Sequence, residues 1–494
     1  MQNLKNFLLI AAWGLPATVG AQPGETPVAP QVAQHGRPTA PHLSLTDAIA
    51  EADRMAFANR GAGAAADIAR AAARRPLQGL LPSARVEAGA IRTTDPIGAF
   101  GTLLRQRRVT AEAFAPARLN TPDAIDNLQG AAILEIPLVN GDALLGRRAA
   151  SRAADAATAR AEWTTLSTRL SVVRGYFGAI LAAEKQQTLA RALIAGEAMT
   201  AQIEQLLRQG LVTRADLLQM QVRTRDVEAQ RLAADAAAST AREQLSLLLG
   251  RSDAARALRA DELPAVLPTD ATVRAMAGNT GVSSDTNAGS DRMRTSSART
   301  VRGETREDMR ASRLDVEAAR FDVQRAGSTL LPRLNGVARY DWNAPSGLYT
   351  GRPSWTVGVM ASWSLFGGGS ELADIDGGQA RLAAARTAEA ATMATARLEQ
   401  ETAVRQLRVT LAQLDLAALS MTQSQEAHRL VQRRYVGGLA TVAEVLAAEA
   451  SETASALQHA AARYAVIEAV ALYRLALGVD PGAIAAQLDP SPEH

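Results

Sequence analysis

Two long stretches of this chain contain no proline, and that absence dictates most of what it can become. All 20 prolines fall outside Leu138–Leu263 and Ser354–Asp480, intervals of 126 and 127 residues. Proline ends or kinks a helix, because it lacks an N–H and its ring clashes with the preceding turn. Both intervals are rich in Ala, Leu, Arg, Gln and Glu, which lose little on entering a helix. Each is interrupted by a related phrase, Gly210-Leu-Val-Thr-Arg-Ala-Asp-Leu-Leu218 and Gly438-Leu-Ala-Thr-Val-Ala-Glu-Val-Leu446. Each also closes on a second phrase, Leu247-Leu-Leu-Gly250 and Leu475-Ala-Leu-Gly478, and both pairs are offset by 228 residues. The chain is a tandem duplication whose unit contains a very long helical hairpin.

The limbs of the first hairpin run from Asp142 to about Gln209 and from Arg214 to about Leu249. Those of the second run from about Ser370 to Val436 and from Val442 to Leu477. Leu166, Leu170, Val173, Phe177 and Ile180 recur at helical spacing in the first limb. At 1.5 Å per residue that limb reaches on the order of 100 Å. No single face is continuously apolar, so the helices are expected to pack side by side with neighbours as shallow coiled coils.

Composition narrows the class. Hydrophobic residues make up 47% of the chain but aromatics only 4%. Such a chain suits thin, close-packed helix pairs rather than a large globular core of bulky side chains. The 53 basic residues nearly balance 50 acidic ones, so nothing marks a nucleic-acid surface. No cysteine is present, which removes disulfides, thiolate metal sites and a thiol nucleophile.

In chain order, residues 1–21 read as a secretory signal, with Lys5, the apolar run Phe7–Trp13 and the small residues Val19-Gly20-Ala21. The alternative is a short membrane anchor, but the run falls well below the roughly 20 residues that span a bilayer. Residues 22–42, with five prolines, form an expected flexible leader. The first repeat, 43–250, opens with a helix capped by Ser44 or Thr46 and running to about Arg75. A linker at 251–302 carries a polar low-complexity insert, 278–300. The second repeat spans 303–478, and 479–494 reads as a loose tail.

Ahead of each hairpin lie two strand-like segments. Trp355, Val357, Val359, Ala361, Trp363 and Leu365 alternate with Thr356, Gly358, Met360, Ser362 and Ser364. This period-two pattern matches a tilted membrane strand of about 9–11 residues, with Trp at the interfacial girdles. Trp355, Val357, Val359 and Trp363 are the expected lipid-facing column. Leu334 to Trp342 alternates likewise, and Arg85–Arg92 and Ala132–Leu138 are fainter counterparts in the first repeat. The alternative is a soluble hairpin. Four strands cannot close a barrel, and open edges do not survive in hydrocarbon, so membrane strands require several chains to share one barrel.

The repeated turn has a local explanation. Gly210 and Gly438 suit the left-handed residue that ends a helix. Thr213 and Thr441 cap the next helix, with Asp216 and Glu444 three residues on, and Val212 can meet Leu217 as a staple. Capping alone accounts for the carboxylates. In an oligomer the same carboxylates would also form a ring at one end of a tube, which favours cations.

With these turns and the duplicated order of strand, strand and hairpin, the chain resembles the TolC family of outer-membrane efflux factors from Leu43 to Gly478. The resemblance implies a mainly α protein with membrane β-strands, a homotrimer with a twelve-stranded barrel in outer-membrane lipid and a helical tunnel in the periplasm. It implies a passive exit duct of tripartite efflux or type I secretion, docking with a periplasmic adaptor and through it with an inner-membrane pump of RND, ABC or MFS type. Tyr435 and Asp216 match the family's latch at the periplasmic mouth, and Glu444 matches one of its acidic rings. Gly210, Leu211, Thr213, Gly437, Gly438, Leu439 and Thr441 fall where the family meets its adaptor. Ala440 replaces a latch arginine and Ala447 a second ring carboxylate, implying a looser, less cation-selective constriction. The acylated cysteine of many members is impossible here.

Other classes fit less well. His35, His42, His428, His459 and His494 show no metal-ligand spacing, and no cofactor is expected. Phe366-Gly-Gly-Gly-Ser370 invites a phosphate-loop reading, but Leu372 spoils the third glycine and no Gly-Lys-Ser/Thr exists. A secreted coiled-coil scaffold or adhesin accommodates the helices, but neither the alternating Trp strand nor the matched turns.

Overall fold

The structure, a computed structural model, describes residues 42–252, 258–282, 306–347 and 351–488. The signal, all of the leader but His42, most of the polar insert and the last residues of the tail lie outside them.

The first helical stretch is divided. Helix α1 (Leu45–Met55) is capped by Ser44, whose hydroxyl accepts from the Asp47 amide at 3.0 Å. Helix α2 is Phe57–Ala72. The single helix expected to about Arg75 is broken at Ala56, which is extended and buried. Gly250 sits against this break, where a β-carbon would come within 2.3 Å of the Met55 carbonyl oxygen.

Four strands follow the alternation of the sequence: β1 (Ser83–Thr93), β2 (Ile125–Val139), β3 (Arg333–Ala344) and β4 (Arg352–Ser362). They form one antiparallel sheet in the order β1-β2-β3-β4. One row reads Arg85, Ile133, Arg339, Thr356 across the four strands. Two expectations are corrected. β2 begins at Ile125, well before Ala132, because all of β1 pairs with its first part, Ile125 to Glu135. β4 ends at Ser362, so Trp363 to Phe366 are not strand. The Trp363 indole N–H instead donates to the Leu330 carbonyl at 3.0 Å.

β2 leads through Asn140 straight into α5 (Gly141–Arg208), 68 residues long. Helix α6 (Arg214–Leu248) returns along it. After α7 (Asp270–Gly278) comes α8 (Glu307–Ser328), which precedes β3. The second repeat ends in α9 (Ser370–Val436, 67 residues), α10 (Val442–Ala476) and the short α11 (Ala485–Leu488). The return limbs have 35 residues each and cover half of their partners. The other halves are covered by α2 and α8 on α5, and by α8 on α9. No helix among the described residues is long and apolar enough to cross a membrane.

Bulky apolar side chains concentrate in one belt at mid-length of the long helices. Val172, Phe177 and Ile180 of α5 meet Leu245 of α6, Leu407 of α9 and Ile467 of α10 there. Helix α1, the linker and the segment after Gly478 dock on this belt through Ile49, Met276 and Ile484. The stretch after Gly478, expected to be loose, is therefore packed as far as Ala485. Arginines fasten these additions. Arg169 binds Asp53 at 2.8 Å and Asp480 at 2.8 Å. Arg463 pairs with Glu184 and donates to the Leu267 carbonyl at 3.2 Å. Buried Arg306 binds Asp308 at 2.7 Å and lies 4.6 Å from the Trp163 ring.

In the sheet, Gly130 faces Trp342, and a β-carbon there would lie 2.0 Å from the indole. Gly130→Val is expected to destabilise the sheet by about 1–3 kcal/mol through overpacking. Gly89→Ala, whose β-carbon would meet its nearest neighbour at 3.5 Å, is expected to be tolerated. Denaturation midpoints in detergent, followed by tryptophan fluorescence, compare the two.

Candidate functional site

The two hairpin tips share one backbone solution. α5 ends with Gly210 at φ 76° and α9 with Gly438 at φ 73°, the left-handed region that costs glycine nothing. Leu211 N–H donates to the Leu206 carbonyl and Gly210 N–H to that of Leu207, both at 2.9 Å. Leu439 and Gly438 repeat this on Arg434 and Tyr435 at 2.8 and 3.0 Å. Both turns are thus Schellman motifs that satisfy the last carbonyls of the long helices.

Capping boxes start the return limbs. Thr213 Oγ1 accepts from the Asp216 amide at 3.2 Å, and Asp216 accepts from the Thr213 amide at 2.9 Å. Thr441 and Glu444 make the same pair of bonds at 3.3 and 2.7 Å. The Thr213 hydroxyl, then its amide, holds the Asp216 carboxyl below its ordinary range. The Thr441 amide, then its hydroxyl, does the same for Glu444, with Arg434 adding its charge. Each carboxylate holds its own turn, and no hydrogen bond joins the two among the described residues.

The tips meet through a small apolar cluster. Ile203, Met220 and Val442 are buried there, with Val212, Leu217, Tyr435 and Leu446 against them. Val212 and Leu217 thus fall together, as the staple requires. Tyr435, expected to be linked to Asp216, lies close enough to feel its charge. Burial first, and that charge second, push its phenol up. Its hydroxyl is buried and makes no hydrogen bond among the described residues, while Asp216 Oδ2 accepts from both the amide and the hydroxyl of Thr213. At the apex Leu211, Val436 and Leu439 are exposed, and Gly437 precedes the left-handed Gly438.

Two features escaped the sequence reading. Arg434 donates to the Leu439 carbonyl at 3.0 Å across the turn that lacks an arginine at Ala440. Its signal was a basic residue in the last turn of a helix, where a cation meets free carbonyls. Two turns before Tyr435, His428 pairs with Glu452, and burial pushes the nearby Glu449 carboxyl up. Pairings between limbs have no local signal. No group able to hold a metal ion occurs among the described residues.

At the far end of the long helices the sheet has two unlike faces. Val86, Leu134, Ala338, Tyr340, Trp355 and Val357 share one, flanking a shallow apolar groove. Glu87, Gln129, Arg339, Asp341, Asn343 and Ser354 share the other, around a polar recess. Trp355, Val357 and Val359 are 74%, 68% and 66% exposed in the single chain, an unusual exposure for such side chains.

A half-apolar sheet joined to paired helices on the order of 100 Å long, in two repeats, is the architecture of TolC-like outer-membrane efflux channels. Residues 303–479 match the family described as outer membrane efflux protein, so the second repeat carries that domain, and the fold extends over both repeats. Among solved structures the chain is similar to the outer membrane protein VceC from Vibrio cholerae, at 20% identity and a TM-score of 0.69. That match covers 88% of this chain and 96% of VceC. It is similar to the Campylobacter jejuni CmeC outer membrane channel at 16% identity and a TM-score of 0.72, covering 91% and 90% of the two chains. The open Neisseria gonorrhoeae MtrE outer membrane channel matches at 18% identity and a TM-score of 0.66, covering 88% and 89%. No curated protein sequence matches significantly.

A carboxyl with a lowered pKa adds stability above its ordinary range and loses it as pH falls through the lowered value. The tips are therefore expected to hold through neutral and mildly acidic pH and to loosen only in stronger acid. Thr213→Ala removes the cap and should cost about 1 kcal/mol locally, making exchange of the 214–217 amides about fivefold faster. Hydrogen exchange by mass spectrometry reads both effects.

Proposed function

We propose that this protein is a passive outer-membrane exit duct of a tripartite efflux or type I secretion system. It works as a homotrimer whose twelve strands close one barrel in outer-membrane lipid, while six hairpin limb pairs wall a tunnel through the periplasm. One observation carries the reading. A four-stranded sheet with an apolar face and two unpaired edges leads directly into helices of about 100 Å. Unpaired strand edges cannot stand in hydrocarbon, whereas edges shared among copies can. Exposed Leu398, Leu416 and Leu419 along α9 support the same assembly, since adjacent copies would cover them.

The tips are the adaptor-docking end. Leu211, Thr213, Leu439 and Thr441, with Gly210, Gly437 and Gly438, present two near-identical turns per copy to a periplasmic adaptor, and through it to an inner-membrane pump. Asp216, Glu444 and Tyr435 form the periplasmic constriction. Three copies bring six carboxylates to one mouth, where like charges resist close approach and favour cations. The alternative of a secreted scaffold or adhesin leaves the exposed Trp355–Val359 face without a purpose.

Membrane fractionation with native mass measurement should find an outer-membrane trimer, and a soluble monomer would refute the duct. Val357→Arg on the apolar face is expected to cost about 2–4 kcal/mol near mid-bilayer and to abolish membrane assembly. Thr356→Arg, one residue along on the polar face, should assemble normally.

At the mouth, Tyr435→Phe combined with Asp216→Ala is expected to raise single-channel conductance in planar bilayers. Unchanged conductance would remove both residues from gating.

A further inference from the structure

The connection between β1 and β2 lies at the end of the sheet away from the hairpins, because β2 runs from Val139 straight into α5. It is folded rather than open. Helix α3 (Pro96–Arg105) and helix α4 (Pro116–Asn120) bracket a small apolar cluster, in which Phe100 meets Phe114 edge to face at 5.5 Å.

Which face of the sheet this element covers follows from its polar anchors. Gln106, at the end of α3, is only 3% exposed, and its side-chain amide donates to the Asp126 carbonyl at 2.9 Å and to Asn127 Oδ1 at 3.0 Å. Asn127 in turn donates to Asn343 Oδ1 at 2.8 Å, and both are buried. Asn127 and Asn343 belong to the column of Gln129, Asp341 and Arg339, the polar face. α3 is therefore fastened on the side of the sheet opposite Trp355 and Val357.

A third tie is made against the grain of the backbone. Arg107 adopts φ 54°, the left-handed position that ends α3, with the Arg108 amide donating to the Leu103 carbonyl at 2.9 Å. Glycine would sit there without strain. The arginine instead donates from Nη2 to the Pro353 carbonyl at 3.2 Å, at the start of β4. Two residues back, Arg105 lines the recess of about 440 Å³ on the polar face, beside Glu87, Arg339 and Asp341. Arg339 is bound by Asp341 at 2.8 Å and Glu87 by Arg85 at 3.1 Å. Arg105 makes no ion pair among the described residues.

We propose that residues 94–124 form an inward-folded constriction at the outer mouth of the pore, with Arg105 as the cation that passing cargo meets. This rests on the trimeric-barrel reading, in which the polar face is the lumen. Three copies would then set three α3 helices and three Arg105 side chains around the axis, at the opposite end from the tips. A positive charge in a narrow, partly water-excluded passage attracts the carboxylate, phosphate or sulfate groups of cargo and repels cationic ones.

The absence of cysteine makes the test clean. Full-length Arg105→Cys in planar bilayers under a KCl gradient is treated with methanethiosulfonate reagents of either charge. Both are expected to lower conductance. The anionic reagent should move the reversal potential towards cations, and the cationic one should restore it. Arg105→Glu, which removes no hydrogen bond, should give the cation-ward shift without labelling. Complete labelling by mass with unchanged conductance and reversal potential, or an Arg105→Glu channel indistinguishable from wild type, would overturn the constriction. Failure of the wild-type protein to form channels at all would sink the barrel reading instead.

Discussion

Backbone hydrogen bonding at two strand edges is the constraint on which the rest of this structure depends. β1 and β4 are the outer strands of the sheet, and each has 11 residues. In water, the face carrying Trp355, Val357 and Val359 would remain uncovered. In hydrocarbon, every unpaired N–H and C=O along those edges costs several kcal/mol. A lone chain satisfies neither environment. Edge strands of equal length, with matching alternation of apolar and polar faces, allow copies to join edge to edge and meet both demands together.

The helical body solves a different problem with few large side chains. Alanine allows the limbs to approach closely, while bulky residues are gathered into the belt around Phe177, Ile180, Leu407 and Ile467. Arginine supplies much of the remaining attachment. Arg169 with Asp53, Arg306 with Glu399 and Arg463 with Glu184 each bind a partner distant in sequence while themselves partly or largely buried. A planar guanidinium engages two carboxylates or carbonyls at once, which suits it to tying termini and linker onto a helical surface.

Much of this was legible in the sequence, for identifiable reasons. Absence of proline located the two hairpins, and the limbs read within those intervals lie within a residue or two of the helices. The Gly-Leu-x-Thr phrase disclosed both tips, because its glycine, threonine and carboxylate act on neighbours three residues away. Strand faces were visible in period-two alternation. What escaped were effects set by contacts remote in sequence. β2 begins early because β1 pairs with it, and α1 breaks where Gly250 crowds Met55. The segment after Gly478 is ordered because Ile484 finds the belt. At the tip, the pairing of Asp216 with Thr213 was legible, but the missing bond between Asp216 and Tyr435 was not, and the buried Tyr435 hydroxyl makes no hydrogen bond among the described residues.

The long limbs pass through the belt without interruption, while their companions change there from α6 and α10 to α2 and α8. A continuous helix is a stiff rod, since each turn is braced by bonds to the next. The belt clasps these rods at mid-length with bulky residues and buried arginines, whereas the tips are held together by a handful of side chains. Such an arrangement is a lever with its fulcrum at the belt. A modest splay at the tips can be absorbed there as a small rotation, leaving the strands at the other end in register.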